Sequence, residues 1–369
     1  MLVKKQRFSI DSFLFRRAGR RIPIELGYET WGRLNDSRDN VVLICHYFTG
    51  TAHAAGKYEE TDPLPGWWDV LIGPKKTIDT EKYFVIAIDC FSNINFHNPN
   101  VITTGPASKN PKTGKEYGMK FPIFTLDDVV HAQRLLLASL DIEKLHAVIG
   151  PSMGGLQAFL WGKYFPKSVG RIVSVVATPM VRPWCVMVPN QLGIDAIKID
   201  PKWRNGAYYG RKPPLDGLLN AFKILLMATR TDEWAERNFG RKPANDAPDP
   251  FSSHDGKFLV QEEVEKIVLG RMKFFDPNSY LYIAKANALY DLRTGDESLK
   301  DALGQITAPV LMIIDESDLM FTVGQAQESI KHLPQADLYT YDSKNGHLSC
   351  LDETHYFAKQ LGAFLAAGQ

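Results

Sequence analysis

The chain has 369 residues, a formal net charge of +1, 44% hydrophobic residues and 23% charged residues. That balance fits a soluble globular protein; it is too apolar for a disordered chain and too neutral for a nucleic-acid binder by bulk charge. At ~150 residues per domain the length allows about two domains, or one domain with a large insertion, and either can bury a full core.

No apolar run reaches the roughly 18 residues needed to cross a bilayer. The basic N-terminus, Met1 to Arg21, has no long apolar stretch and no small-residue cleavage site, so no signal peptide is expected. Cys45, Cys90, Cys185 and Cys350 are scattered without a CxxC spacing. This predicts reduced thiols in a cytoplasmic protein, with no metal site and no cofactor. No nucleic-acid or membrane partner is implied.

Three parts follow in chain order. Residues 1–178 alternate short apolar runs with amphipathic stretches. Val41–Cys45, Tyr83–Ile88 and Leu145–Ile149 are β-rich and bounded by polar residues or Gly, the pattern of buried strands. Leu126–Leu140 repeats its apolar positions at helical spacing. Strand, helix, strand, helix predicts a mostly parallel sheet with helices on both faces. Residues 179–300 are rich in Trp, Met, Arg and Pro, with helical periodicity at Gly217–Thr229, Val260–Met272 and Ser279–Ala288. They read as a helical lid inserted over an α/β core. Residues 301–369 return to the sheet pattern, with strands at Pro309–Ile314 and Ala336–Tyr341 and a closing helix at Tyr356–Leu365.

The sharpest chemical signal is Gly150-Pro-Ser152-Met-Gly154-Gly155, between a strand and a helix. A nucleophilic Ser at such a turn is strained, and neighbours without a Cβ let strand and helix approach. The helix N-terminus then faces the developing anion. A Ser hydroxyl needs a base to take its proton and an acid to orient that base. In chain order Ser, acid, His, the base is expected after the last strand, at His347. The acid is expected after a late strand, in Asp315-Glu316-Ser317-Asp318. Asp318 is preferred over Asp315 and Glu316, which lie closer to the strand end. His146 within a strand and His332 on a helix read as structural, whereas the loop residues His53 and His97 could line the pocket. The oxyanion donors are expected to be the N–H of Met153 and that of Phe48, in the loop Cys45-His-Tyr-Phe-Thr-Gly50.

The chain resembles the homoserine O-acetyltransferase family of α/β-hydrolase proteins along nearly its whole length. The resemblance is carried by Leu26-Gly-Tyr-Glu-Thr-Trp-Gly-Arg-Leu-Asn35, His46-Tyr-Phe-Thr-Gly50, Ala52-His-Ala-Ala-Gly56 and Gly66-Trp-Trp-Asp69. It continues through Gly73-Pro, Ile78-Asp-Thr80, Thr104-Gly-Pro106, Asn110-Pro-Lys-Thr-Gly114, Gly150–Gly155, Ser317-Asp318 and Gly346-His347. It implies an α/β-hydrolase fold, a Ser152–His347–Asp318 triad, Phe48 and Met153 as oxyanion donors, and a helical lid through which two copies pair as a homodimer.

Two departures bear on substrate. Family members acting on homoserine follow the catalytic His with an Asp that binds the substrate amino group, and here that residue is Leu348. They place an Arg for the substrate carboxylate in the first lid helix, where Phe222 aligns here, with Arg230 two turns further on. The stretch after the third strand is also altered, Cys90-Phe-Ser-Asn-Ile-Asn-Phe-His-Asn-Pro99. An unpaired charge is costly to bury, so a pocket of Tyr47, Phe222 and Leu348 suits a neutral guest. The expected function is therefore a serine carboxylic-ester hydrolase for short acyl esters, acetates above all, resembling the family's esterase branch. The alternative is an O-acyltransferase moving acetyl from acetyl-CoA, a co-substrate, to homoserine or a related hydroxyl acceptor. No phosphate-cradling glycine loop or basic cluster marks a coenzyme site.

Overall fold

Short runs of β-branched and aliphatic residues with no polar alternation are stable only when covered on both faces, and such runs form the centre of this molecule. A computed structural model describes residues 1–367. Its main sheet has eight strands: β1 (Gln6–Phe15), β2 (Arg20–Trp31), β3 (Val41–Ile44), β4 (Phe84–Ile88), β5 (Ala147–Pro151), β6 (Ile172–Val175), β7 (Val310–Asp315) and β8 (Ala336–Tyr341). The spatial order is β1-β2-β4-β3-β5-β6-β7-β8. β1 pairs antiparallel with β2, and β2 antiparallel with β4; all other neighbours are parallel. This is the α/β-hydrolase fold.

Period-two alternation sends successive side chains of the central strands into two separate layers. Val41 and Leu43 of β3 join one layer, and Val42 and Ile44 the other. The first layer is completed by α1 (Leu126–Ser139) and α2 (Met153–Tyr164). At the start of α1 the Asp128 carboxylate accepts the N–H of Thr125 at 3.1 Å. Every residue of α2 from Met153 to Lys163 is buried, as befits a helix under both sheet and lid.

Between β6 and β7 the chain is helical, with α3 (Leu192–Ile199), α4 (Leu215–Ala228), α5 (Leu259–Arg271) and α6 (Pro277–Ala288). The predicted helices of this segment lie within two residues of these bounds. A π-helical turn, Val186–Gln191, precedes α3 with Pro189 inside it. After β7 come α7 (Val323–Ile330) and, at the end, α8 (Ala358–Ala366), whose Leu361 and Leu365 fill the second layer. His146 directly precedes β5 instead of lying inside a strand, and His332 sits in the turn after α7 instead of on a helix. Among the described residues no helix is long and apolar enough to cross a membrane.

Candidate active site

The strand order reverses around β3, which has β4 on one side and β5 on the other. Ligands of open α/β sheets bind at the carboxyl ends of strands flanking such a point. Ser152 stands there, in the turn from β5 to α2, with φ 54° and ψ −123°. That conformation costs on the order of 1–3 kcal/mol and persists only under surrounding constraint. Two close approaches provide the constraint. A Cβ on Gly154 would lie 2.0 Å from the Cys45 carbonyl oxygen, and one on Gly150 would lie 2.3 Å from the Gly154 backbone carbon. Only glycine lets the end of β3, the Ser152 turn and the first turn of α2 meet.

Ser152 Oγ lies 2.7 Å from His347 Nε2, and His347 Nδ1 lies 2.8 Å from Asp318 Oδ2. All three side chains are buried. A neutral ring satisfies both contacts in one tautomer: Nδ1–H donates to the carboxylate, and Nε2 accepts from the Ser152 hydroxyl. The other oxygen of Asp318 accepts the N–H groups of Met320 at 2.7 Å and Phe321 at 3.3 Å.

The rival acids are placed elsewhere. Asp315 accepts the N–H and hydroxyl of Ser317, at 2.9 and 2.7 Å, and the hydroxyl of Ser343. Ser317 Oγ in turn accepts the N–H of Gly346 at 3.0 Å. Asp315 thus braces the loop that carries His347. Glu316 accepts from the Thr340 hydroxyl at an exposed position.

One cavity is lined by Ser152, His347, Tyr47, Phe48, Phe222 and Leu348, together with Arg271 at the end of α5. Residues of the helical segment therefore roof Ser152. Phe222 stacks on Phe275, centroids 4.7 Å apart, and meets Tyr280 edge-on. Met153 is held from the roof by Asn287, whose Nδ2 lies 3.3 Å from its Sδ. The N–H groups of Phe48 and Met153 donate to no protein atom among the described residues. Burial pushes the Tyr47 phenol up to about 12, so it stays protonated at neutral pH. Burial likewise raises the thiol of Cys350, another lining residue, well above its ordinary value. It is therefore no competing thiolate.

His53 and His97 do not line this cavity. His53 Nδ1 donates to Glu29 at 2.9 Å and its ring stacks on Tyr58. His97 donates its backbone N–H to Phe274. Arg230 is also turned away: it pairs with Asp352 at 2.7 Å and lies over the Trp234 ring. Arg271 is the cation the sequence reading missed, because a basic residue in the last turn of a helix reads as a partner of the helix dipole. No lining residue is Asp or Glu, and no metal-holding cluster of His, Cys, Asp or Glu occurs among the described residues.

The alpha/beta hydrolase fold family matches residues 40–354. A homoserine O-acetyltransferase of Geobacter sulfurreducens is 40% identical over 376 residues, covering 99% of this chain and 98% of that protein. One of Deferribacter desulfuricans is 40% identical over 341 residues, covering 91% and 88%. Among solved structures, homoserine O-acetyltransferase from Bacillus anthracis superposes with a TM-score of 0.95 at 39% identity, covering 99% and 98% of the two chains. Esterase E22 superposes at 0.92 and 36% identity, covering 99% and 100%.

These comparisons overturn ester hydrolysis as the main reading of the sequence. Full-length relatives at about 40% identity carry the name homoserine O-acetyltransferase, which favours the transferase alternative. The error has a physical source. The same serine relay serves both reactions, and they part only at the second nucleophile. Leu348 and Phe222 describe the charge of the cavity wall and say nothing of whether water or an alcohol attacks.

Proposed function

The chain belongs to the homoserine O-acetyltransferase family of α/β-hydrolase proteins, and from that premise we propose that it moves acetyl from acetyl-CoA to the hydroxyl of homoserine or a related small hydroxyl acceptor. The observation that supports transfer over hydrolysis is the full-length similarity, at 40% identity, to a homoserine O-acetyltransferase; the Ser152–His347–Asp318 relay, buried under a helical roof, supplies the chemistry. A buried acyl-enzyme is shielded from water until an acceptor enters.

Ser152 Oγ attacks the thioester carbonyl while His347 Nε2 takes its proton. The tetrahedral oxyanion accepts from the N–H groups of Phe48 and Met153. Collapse breaks the carbon–sulfur bond, and His347 returns its proton to the leaving thiolate. The acceptor hydroxyl then loses its proton to His347 and attacks the acyl carbon. The second collapse restores the Ser152 hydroxyl and releases the O-acetyl ester. Asp318 holds the imidazole tautomer and stabilises its charged form throughout. Arg271 is the guanidinium available to an acceptor carboxylate.

We further propose pairing of two copies through the helical segment, supported by the exposed apolar side chains Trp184, Met187 and Ile199. Sedimentation giving a concentration-independent monomer mass contradicts it. The catalytic reading is tested by supplying acetyl-CoA and homoserine, following thiol release and identifying the O-acetyl product by mass spectrometry. Robust transfer is expected, with Ser152→Ala lowering it by at least about 10³-fold. Full activity of Ser152→Ala, or thiol release without an O-acetyl product, refutes the proposal.

A further inference from the structure

The Phe48 N–H can serve an oxyanion only if the peptide joining Tyr47 to Phe48 is turned the right way, and His46 is bonded to that peptide. His46 is 1% exposed. Its Nδ1 lies 2.8 Å from the Tyr47 carbonyl oxygen, and its Nε2 accepts the N–H of Cys90 at 3.1 Å. A carbonyl can only accept and a backbone N–H can only donate, so the ring has one permitted form: proton on Nδ1, lone pair on Nε2. The Tyr47 carbonyl also accepts the N–H of Gly50 at 2.9 Å. It is thus pinned by two donors.

We infer that His46 is a positioning residue for the oxyanion site: its tautomer-locked ring fixes the Tyr47–Phe48 peptide so that the Phe48 N–H faces Ser152. The step from carbonyl to N–H follows from peptide geometry. No peptide bond here is cis, and in a planar trans peptide the C=O and N–H point in opposite directions. Holding the Tyr47 oxygen inward therefore turns the Phe48 N–H outward, to the cavity that Phe48 and Ser152 share.

The rest of the loop is tied down by other means. Asn93 Nδ2 donates to the Gly50 carbonyl at 2.9 Å, and Asn95 Nδ2 to the Thr49 carbonyl at 3.0 Å. Asp89 accepts the N–H of Ala52 at 2.7 Å. These bonds set the path of the loop, whereas the bond from His46 sets the tilt of one peptide. The Cys90 contact matters because it forbids the other tautomer, in which Nδ1 would present a lone pair to the Tyr47 oxygen and repel it. His46 also stays neutral: burial lowers its pKa below the ordinary histidine range, against the opposing effect of the Tyr47 carbonyl.

The inference rests on Ser152 acting as the nucleophile, so the experiment separates the two. The paired variants are His46→Asn, whose amide nitrogen can replace Nδ1, and His46→Gln, whose longer side chain reaches toward Cys90. Acetyl transfer is measured with each, alongside Tm and the affinity for an arylboronic acid, which forms a tetrahedral anion on the serine. His46→Gln is expected to lower kcat about 10- to 100-fold with KM for the acceptor unchanged. It should weaken the boronate by a similar factor. His46→Asn should retain kcat within about threefold. Equal losses in the two variants, or losses that follow Tm alone, overturn the assignment. Nitrogen-15 NMR of the wild-type protein with labelled histidine gives a readout free of folding effects: His46 must carry its proton on Nδ1, and a proton on Nε2 overturns the inference. Failure of the nucleophile reading shows separately, as full activity of Ser152→Ala.

Discussion

Replacing Asp318 by Asn leaves the shape of the site intact and changes only what the side chain can accept. One carboxylate oxygen of Asp318 takes two backbone N–H groups, from Met320 and Phe321, and the other takes the imidazole Nδ1–H. An amide has one oxygen for both tasks. Turning its NH₂ toward Met320 and Phe321 sets donors against two N–H groups, so the oxygen goes there and the NH₂ faces His347. The ring must then present a lone pair at Nδ1 and carry its proton on Nε2. It donates to Ser152 instead of accepting, and the base is lost. The corresponding change in serine proteases lowers kcat by about 10⁴, or ~5.4 kcal/mol of barrier. Single-turnover acetylation by acetyl-CoA, followed by intact-protein mass, measures this step directly. Asp315→Asn, at the buried one of the two rival acids, is the control and should keep kcat within about tenfold. An Asp318→Asn enzyme acylating within about tenfold of wild type, or an Asp315→Asn enzyme impaired more severely, refutes the assignment of the acid.

Four further outcomes are expected. Gly154→Ala forces a Cβ against the Cys45 carbonyl, 2.0 Å away in the present geometry; β3 and α2 must part, costing about 1–3 kcal/mol of stability and more than tenfold in kcat, and unchanged Tm and kcat contradict it. Leu348→Asp places a carboxylate on a cavity wall that has none; kcat/KM for homoserine should rise about tenfold over that for the same alcohol lacking the amino group, and an unchanged ratio shows that this wall does not meet the ammonium. Lys5→Met strands Glu29 and Asp89, which its Nζ contacts at 2.9 and 3.1 Å; urea unfolding should show a loss of about 3–5 kcal/mol, and a loss below about 1 kcal/mol contradicts it. Burial alone would raise the Glu29 pKa, but the hydrogen bond from His53 and the charge of Lys5 outweigh it and hold the carboxyl below its usual range. The stabilisation from Glu29 is therefore complete above the unfolded carboxylate pKa and disappears as pH falls through the lower folded value. Acid unfolding of Glu29→Gln should show a shallower pH slope in that window.

The central strands β3, β4, β5 and β7 were legible in the sequence because burial on both faces leaves no room for polar residues. β1 and β2 were not singled out. Their outer positions are solvated, and at Gln6–Phe15 only Phe13 and Phe15 are buried, so its polar and charged residues hide the strand. The alternation of Ile22, Ile24 and Leu26 in β2 was a usable signal. β6 is four residues long and adjoins the switch to helical pattern, which obscured it. In the site, the glycines around Ser152 announce their own purpose, since no other residue fits. Asp318 was already preferred over Asp315 and Glu316 from the sequence, and the turn after β7 gives the reason: three residues of spacing decide which carboxyl meets the imidazole. His46 and Arg271 were beyond reach. The work of one depends on a peptide's tilt, and the position of the other on how α5 lies across the cavity.

Ser152 and His347 are 195 residues apart in sequence, and the base arrives with the last strand and loop of the molecule. A ribosome making this chain therefore extrudes a nucleophile long before anything can activate it. The half-made chain carries Ser152 without the imidazole that contacts it, and the pair forms only when the segment with His347 docks. Truncation before His347 should thus yield an inert chain.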